Sequence, residues 1–160
     1  MALLQISEPG QSTAPHHHNL ACGIDLGTTN SLVASVMSGE TKLIADNNNQ
    51  LMLPSIVHFG QGRKMTVGSE ASHYAQTDPT NTIFSIKRFM GLSFEEVSEL
   101  KNCPYRLLEK GNNVLFQTTI GDFSAVEISA SILSSLKNRA EEALGGDLAG
   151  GAPAVRAARR

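Results

Sequence analysis

Residues 24–31 read Ile-Asp-Leu-Gly-Thr-Thr-Asn-Ser, and this stretch predicts how the fold begins and where the chain binds a ligand. It places a carboxylate, a glycine and two adjacent hydroxyls where an apolar strand ends and the chain turns. Glycine lets a bound group approach the main chain, and successive N–H groups in a tight turn form a concavity that binds anions. The carboxylate of Asp25 is a hard oxygen ligand that suits Mg²⁺. We therefore interpret the stretch as a phosphate-binding loop beside a magnesium ligand.

The residues after this loop predict a second strand. Residues 32–37 form a β-rich run, Gly39 and Glu40 form the next turn, and residues 42–45 read as a further strand. Rossmann and Walker loops instead need a helix directly after the glycines, so that its N-terminus faces the phosphate. The pattern thus favours a β-hairpin around the loop over both helix-type nucleotide loops. Such residues also form ordinary hairpin turns, so the spacing alone leaves that alternative open.

The composition is that of one domain with a hydrophobic core. The chain has 160 residues, 41% hydrophobic and 18% charged, with a formal net charge of −2. Because a basic excess is missing, we expect no nucleic-acid partner. No apolar run approaches the ~20 residues of a membrane span, so we expect no membrane partner either. Cys22 and Cys103 form no CxxC pair, and their sparse use fits a reducing cytoplasm.

The remaining pattern predicts one mixed α/β domain over residues 20–150, preceded by a flexible extension over residues 1–19. Turn residues separate predicted strands at 54–59, 65–67, 105–109 and 114–120, the last two joined by a Gly-Asn-Asn turn. Predicted helices begin at Ser69, Asn81, Ser93 and Ser129. Ser93 with Glu96 fits a capping box. The last helix is the longest: it carries an apolar stripe and ends at Gly145.

Residues 81–91 read Asn-Thr-Ile-Phe-Ser-Ile-Lys-Arg-Phe-Met-Gly, and they contain a second candidate constellation. Taken alone, Lys87 and Arg88 are a solvated basic pair on a short amphipathic helix. Residues 24–31, however, resemble the first phosphate loop of the actin-like ATPase superfamily. Residues 81–91 resemble the segment that carries the catalytic lysine in the 70-kilodalton heat-shock (DnaK-type) chaperones. Two such motifs in this order narrow the resemblance to that chaperone family.

The resemblance implies an actin-like ATPase (ribonuclease-H-like) α/β fold, of which this chain holds the N-terminal lobe with its opening hairpin. It also implies ATP and Mg²⁺ as ligands. Asp25 matches the position that orients magnesium-bound water, and Lys87 matches the lysine that stabilises the reacting phosphate. The positions that would contact the nucleotide phosphates are Gly27, Thr28, Thr29, Asn30 and the basic Arg88.

Two further stretches resemble one branch of the family, the HscA chaperones of iron–sulfur cluster assembly. They are the N-terminal extension, which begins Met-Ala-Leu-Leu-Gln-Ile, and residues 102–106, which read Asn-Cys-Pro-Tyr-Arg. Residues 125–133 match the family pattern that precedes the helix at the end of the first ATPase lobe. For a full-length protein, this resemblance implies a J-domain co-chaperone and an iron–sulfur scaffold protein as partners.

Residues 151–160 read Gly-Ala-Pro-Ala-Val-Arg-Ala-Ala-Arg-Arg and depart from the family pattern. The resemblance implies a buried strand and a Val-Pro-Ala-Tyr-Phe-type segment after Gly150. We therefore expect an aberrant, unstructured tail, produced by a frameshift or another truncation, and a chain that lacks ATPase activity by itself. Two alternatives remain open: a non-enzymatic truncated product, and an actin-superfamily sugar kinase, which residues 81–91 disfavour.

Overall fold

A computed structural model describes residues 20–100, 103–111 and 113–148, together with the backbone of residues 154–155. The expected flexible extension, residues 1–19, lies outside the described residues. So does the expected tail, apart from Ala154 and Val155. Within the described ranges the chain is a mixed α/β structure, in which one long helix crosses three small sheets that are mainly antiparallel.

The first sheet carries residues 24–31. It contains β1 (Cys22–Asp25), β2 (Asn30–Met37), β3 (Glu40–Leu43) and β4 (Leu53–Pro54). β1 runs antiparallel to β2, with Ile24 opposite Val33, while β3 and β4 pair with different parts of β2. The β2–β3 turn has positive φ at both Ser38 (52°) and Gly39 (82°), which is the backbone of a type I′ hairpin turn.

The final strand of the sheet comes from the expected tail. Ala154–Val155 (β11) pairs in parallel with β1, Gly23 opposite Ala154 and Ile24 opposite Val155. At these two residues the expectation of an unstructured tail is corrected, because unpaired backbone groups along β1 gain hydrogen-bonding partners there. The prediction for residues 151–153 and 156–160 lies outside the described residues.

The other strands form two three-stranded antiparallel sheets. One has the order β6-β5-β7, and the other the order β10-β9-β8. Sequence periodicity predicts four of these strands to within a few residues. It misses β7, where it predicts a helix, and β10, which carries one large apolar residue, Phe123. The strands are β5 (Ile56–Phe59), β6 (Met65–Val67), β7 (Thr82–Phe84), β8 (Arg106–Lys110), β9 (Asn113–Thr118) and β10 (Gly121–Ser124).

The helices are α1 (Ser69–Ser72), α2 (Phe94–Ser98) and α3 (Ala125–Leu144). The capping box predicted at Ser93 and Glu96 is present. The start predicted for α3 is wrong: Ser124 is the N-cap, and it exchanges side-chain and backbone hydrogen bonds with Glu127. Ser129 instead lies inside the helix, where its hydroxyl donates to the Ala125 carbonyl. Gly145 ends α3 in the left-handed conformation, as predicted.

The helix predicted over residues 81–91 is also wrong. The chain forms β7, which pairs with β5, and then a short 3₁₀ turn over Ile86–Phe89. Ser85 separates the two elements because its φ of 55° and ψ of 32° lie in the left-handed region. A single left-handed residue interrupts a right-handed helix, so the apolar spacing of Ile83, Ile86 and Met90 does not form one helical face.

The hydrophobic core lies between α3 and the sheets. α3 packs against all three sheets, namely β1 and β2 of the first, β5 and β6 of the second, and β9 and β10 of the third, and also against the 3₁₀ turn. The stripe on α3 supplies Ile128, Ile132 and Leu136, which are fully buried. One helix therefore supports both the loop of residues 24–31 and the turn that carries Lys87. The other large, fully buried apolar side chains are Phe59, Phe116, Ile83, Ile86, Val33, Val57 and Val97.

Candidate functional site

The phosphate loop, defined here as residues 25–30, joins the end of β1 to the start of β2. Its tight geometry requires glycine at position 27. A Cβ atom built on Gly27 would lie 2.0 Å from the backbone carbonyl oxygen of Asn30, far inside van der Waals contact. Any side chain at this position would displace main chain on the opposite side of the turn.

Two buried serines form hydrogen bonds with the backbone of the phosphate loop. The side chains of Ser31 and Ser55 are each 1% exposed. The N–H of Gly27 donates to Ser31 Oγ at 3.2 Å, and Ser55 Oγ donates to the Gly27 carbonyl at 2.9 Å. The two hydroxyl oxygens lie 2.9 Å apart. The backbone N–H of Ser55 also donates to the carbonyl of Thr29 at 2.8 Å, so both ends of the turn are fixed.

Several hydrogen-bonding groups of the phosphate loop have no protein partner among the described residues. Thr28 and Thr29 make no hydrogen bond with their N–H groups or hydroxyls among the described residues. The side chains of Asp25, Thr29 and Asn30 are exposed, and Thr28 is half-buried. The carboxylate of Asp25 and the N–H and hydroxyl groups of Thr28 and Thr29 thus lie on one turn, whose backbone Ser31 and Ser55 hold by hydrogen bonds. Such a set can bind an anion and an accompanying divalent cation.

The 3₁₀ turn Ile86–Phe89 places Lys87 and Arg88 differently. Ile86 and Phe89 are buried and anchor the turn, whereas Lys87 is half-buried and Arg88 exposed. Within the part of the chain that the structure describes, the Lys87 ammonium forms no salt bridge or hydrogen bond with protein. Arg88 lines a cavity of about 390 Å³ whose other walls include Ser85, Leu100 and Tyr105, and Lys87 does not.

A cluster of aromatic rings supports this turn. Phe89 makes edge-to-face contacts with Tyr105 and Phe116, at centroid distances of 5.9 and 5.2 Å. The Tyr105 hydroxyl accepts a hydrogen bond from the Phe84 N–H at 3.1 Å. Burial raises the pKa of Tyr105 to about 12 because the phenolate would lose its hydration. The Lys87 segment is therefore held by packed rings and by a neutral tyrosine.

The structure places the predicted site residues in two turns. Residues 25–30 form one exposed turn, and Lys87 with Arg88 forms a second; both rest on elements packed against α3. The sequence pattern does not indicate Ser55 as a partner of the loop, and it assigns no role to Ser31. The available signal was weak: Ser55 follows Pro54 at the start of a run with strand pattern, an unusual place for a fully buried hydroxyl.

No helix among the described residues is long and apolar enough to cross a membrane. The same ranges contain no group of three or more His, Cys, Asp or Glu side chains placed to hold a metal ion. A cation at Asp25 would therefore need oxygen ligands from a bound ligand or from water, as Mg²⁺ commonly has.

The model of the Hsp70 protein family matches residues 21–155, which include both candidate turns and β11. The chain therefore belongs to the Hsp70 family. This membership agrees with the resemblance of residues 24–31 and 81–91, and it decides against the sugar-kinase alternative.

Within the Hsp70 family, the chain is similar to proteins named as HscA homologs. The chain is 52% identical over 150 residues to a protein named Chaperone protein HscA homolog from Methylobacillus flagellatus. It is 52% identical over 152 residues to the protein of that name from Vibrio campbellii, and 49% identical over 150 residues to that from Herminiimonas arsenicoxydans. Each alignment covers 94% of this chain but 24% of the relative, so the chain spans about a quarter of their length.

Proposed function

We propose that this chain is the N-terminal lobe of an actin-like ATPase domain from an HscA-type chaperone, and that it contributes one wall of the ATP site. The observation that carries the proposal is the phosphate loop itself. This turn contains a glycine that tolerates no Cβ and two N–H groups without a partner among the described residues, and Ser31 and Ser55 hold it by hydrogen bonds. Membership of the Hsp70 family gives the ligand its identity, ATP with Mg²⁺.

The residues present fit these ligands. Gly27 leaves space over the turn, and the N–H groups and hydroxyls of Thr28 and Thr29, together with Asn30, would hold the β- and γ-phosphates. Asp25, exposed at the end of β1, offers a hard carboxylate oxygen that would hold a water molecule of magnesium. Bound Mg²⁺ supplies neutralisation of the phosphate charge.

Lys87 and Arg88 would supply positive charge from the second turn. The half-buried Lys87 ammonium has no acidic partner among the described residues, so its charge remains available for the γ-phosphate. A cation aimed at a phosphoryl group stabilises the charge that develops during transfer. Arg88 is the flanking cation of the same turn. We assign Lys87 the catalytic role and Arg88 a binding role.

The role of the whole protein is proposed from the relatives, because this chain spans a quarter of their length. A full-length protein of this kind would couple ATP hydrolysis to binding of a peptide segment in the cytoplasm. Its partners would be a J-domain co-chaperone and an iron–sulfur scaffold protein, and its task the maturation of iron–sulfur proteins. The second wall of the nucleotide site would come from regions of the relatives that this chain does not span.

Calorimetric titration with Mg-ATP tests the proposal on two proteins, the 160-residue chain and the same chain extended through a complete ATPase domain. We expect binding in the extended protein and no measurable binding in the chain alone, because one wall cannot exclude water or complete the set of charges around the phosphates. Absence of binding in both proteins would support the alternative of a non-enzymatic product. Tight binding and turnover by the chain alone would contradict the one-wall proposal.

A further inference from the structure

Ser55 lies outside every motif that points to nucleotide binding, yet it contacts both ends of the phosphate loop. Its hydroxyl donates to the carbonyl of Gly27, and its backbone N–H donates to the carbonyl of Thr29. We propose that Ser55 is a positioning residue for ATP hydrolysis, which acts by fixing the orientation of the peptide groups around Gly27. This inference rests on the proposed function of the loop.

The directions of the hydrogen bonds follow from counting hydrogens. Ser55 has a single hydroxyl hydrogen, and it is donated to the Gly27 carbonyl. Because Ser55 Oγ has no second hydrogen to donate, Ser31 must be the donor in the 2.9 Å contact between the two hydroxyls. Ser31 Oγ in turn accepts from the Gly27 N–H. The result is a closed ring of three hydrogen bonds, in which each hydroxyl donates once and accepts once.

This ring determines which loop groups can meet an anion. Both backbone groups of Gly27 are occupied by buried hydroxyls, so the Gly27 N–H is not an available donor, although the sequence marks Gly27 as a phosphate contact. The Gly27 carbonyl, which would repel a phosphate, is held against Ser55. The donors that remain include the N–H groups of Thr28 and Thr29, which have no protein partner among the described residues. We therefore assign Gly27 the role of shaping the turn, and Thr28 and Thr29 the role of binding the anion.

Ser55 is itself held in place by the first sheet. It follows β4, and the pairing of Leu53 with Ser31 and of Pro54 with Asn30 fixes the approach of the chain. Ser55 and Ser31 are 24 residues apart in sequence, and the pairing of β4 with β2 brings them together. A hydroxyl fixed by a strand on one side and a proline on the other can set a carbonyl direction with little freedom of its own.

Ser35 provides a matched control. It lies on β2 four residues after Ser31, is buried, and donates its hydroxyl to the carbonyl of Ala21 at 2.7 Å. Ser35→Ala therefore removes a buried hydroxyl and one backbone hydrogen bond without touching the phosphate loop. Comparing it with Ser55→Ala separates the general loss of a buried hydrogen bond from the loss of loop orientation.

Amide hydrogen exchange measured by NMR on the 160-residue chain tests the ring directly. We expect the Gly27 amide to exchange more slowly than the amides of Thr28 and Thr29. Ser55→Ala and Ser31→Ala should each speed exchange at Gly27 by roughly tenfold, the order expected for one hydrogen bond, while Ser35→Ala leaves it unchanged. If the unaltered chain shows Gly27 as unprotected as its neighbours, the ring and the proposal are both overturned, whether or not any variant folds.

Steady-state ATP hydrolysis by the chain extended through a complete ATPase domain tests the functional part. We expect Ser55→Ala to lower kcat by roughly 10- to 100-fold with a smaller change in KM, as expected of a misaligned site. Ser31→Ala should act in the same direction, and the double variant should lose less than the product of the two, because both remove one ring. Ser35→Ala should keep kcat near the unaltered value.

The outcomes distinguish this inference from the proposed function. An unaltered extended protein that does not hydrolyse ATP overturns the proposed function, and the positioning role with it. An active unaltered protein in which Ser55→Ala and Ser35→Ala have equal kcat overturns the positioning role alone. Circular dichroism and the melting temperature of each variant identify losses of kcat that follow from unfolding, and Ser55→Cys, which keeps the side-chain volume but donates weakly, replaces Ser55→Ala if that variant does not fold.

Discussion

The phosphate loop and the Lys87 turn are held by different forces. Leu26 is the one large apolar side chain of the loop and is buried, but the shape of the turn depends on glycine at position 27 and on a ring of hydrogen bonds from Ser31 and Ser55. Among the described residues, the side chains of the Lys87 turn form no such ring. It is anchored by two buried side chains, Ile86 and Phe89, and is entered through a left-handed serine.

This difference follows from what each element would present to a nucleotide. The loop would offer backbone N–H groups, so the orientation of its peptide planes must be fixed, and hydrogen bonds fix such orientation. The turn would offer the end of a long side chain, so it needs a firm base and a charge that is not neutralised by a neighbour. We therefore expect changes in packing to affect the turn and changes in backbone geometry to affect the loop.

Phe89→Ala should cause the largest loss of stability and should act on the Lys87 turn. Phe89 is 9% exposed and contacts Tyr105 and Phe116, so its truncation should lower the free energy of unfolding by about 3–5 kcal/mol. Phe84→Ala is the matched control, because Phe84 also touches Tyr105 but is 45% exposed. Urea unfolding of the 160-residue chain measures both. Equal losses for the two variants would contradict a packed base under the turn.

Lys87→Ala should leave stability nearly unchanged but remove a charge from the reaction. Its ammonium has no salt-bridge partner among the described residues, so we expect a change in unfolding free energy within about 0.5 kcal/mol. In the extended ATPase domain, kcat should fall by roughly 100- to 1,000-fold with nucleotide still bound, as for other groups that stabilise transition-state charge. Lys110→Ala, an exposed lysine on β8, is the control. Unchanged turnover in Lys87→Ala would remove Lys87 from the mechanism.

The sequence predicts the turn between β1 and β2 because the residues that form it are neighbours in the chain. A carboxylate, a glycine and two threonines within six residues define the turn, and the strands on either side follow from alternation and β-branched residues. The hairpin around Gly111, the capping box at Ser93 and the end of α3 at Gly145 are confirmed for the same reason. In each case the residues that form the feature are neighbours in the chain.

The elements that the sequence does not predict depend on partners that are distant in the chain or on rare backbone states. Ser55 lies 28 residues from Gly27, and only the pairing of β4 with β2 brings them together. Ser85 adopts a left-handed conformation that serine rarely takes, so the spacing of apolar residues around it suggests a helix that the backbone cannot form. Ser129 resembles a cap in sequence, but Ser124 has the glutamate partner three residues on.

Gly27→Ala should act on the loop and leave the Lys87 turn intact. The added Cβ would meet the Asn30 carbonyl oxygen at 2.0 Å, so the main chain must move, with an expected loss of about 2–3 kcal/mol. Gly23→Ala is a close control, because a Cβ on this neighbouring glycine of β1 meets nothing within 4 Å. Chemical denaturation gives the stabilities, and NMR shifts of residues 86–89 report on the turn. A Gly27→Ala chain as stable as Gly23→Ala would contradict the loop geometry.

Alkaline pH should weaken the base of the Lys87 turn through Tyr105. The folded state raises the pKa of this tyrosine from its ordinary 10.0 to about 12, so the unfolded chain loses the proton first as pH rises. Stability is then fully present below pH 10 and falls as pH rises toward 12, by about 1–2 kcal/mol. Tyr105→Phe should lack this part of the decline when unfolding is measured across that range. The same alkaline slope in both proteins would show that Tyr105 is not the group responsible.

Ser85→Gly should give the smallest effect and the opposite sign. Serine at φ 55° is strained, and glycine adopts the same backbone freely, so we expect a gain of about 0.5–1 kcal/mol in unfolding free energy. Ser134→Gly, at an exposed position inside α3, should instead lose about 0.5 kcal/mol, because glycine disfavours helices. Thermal unfolding of the two variants measures the difference. If Ser85→Gly is stabilised while the extended protein loses turnover, the left-handed serine restricts the Lys87 turn much as the serine ring restricts the loop; if turnover is kept, packing of Ile86 and Phe89 is sufficient to hold the turn.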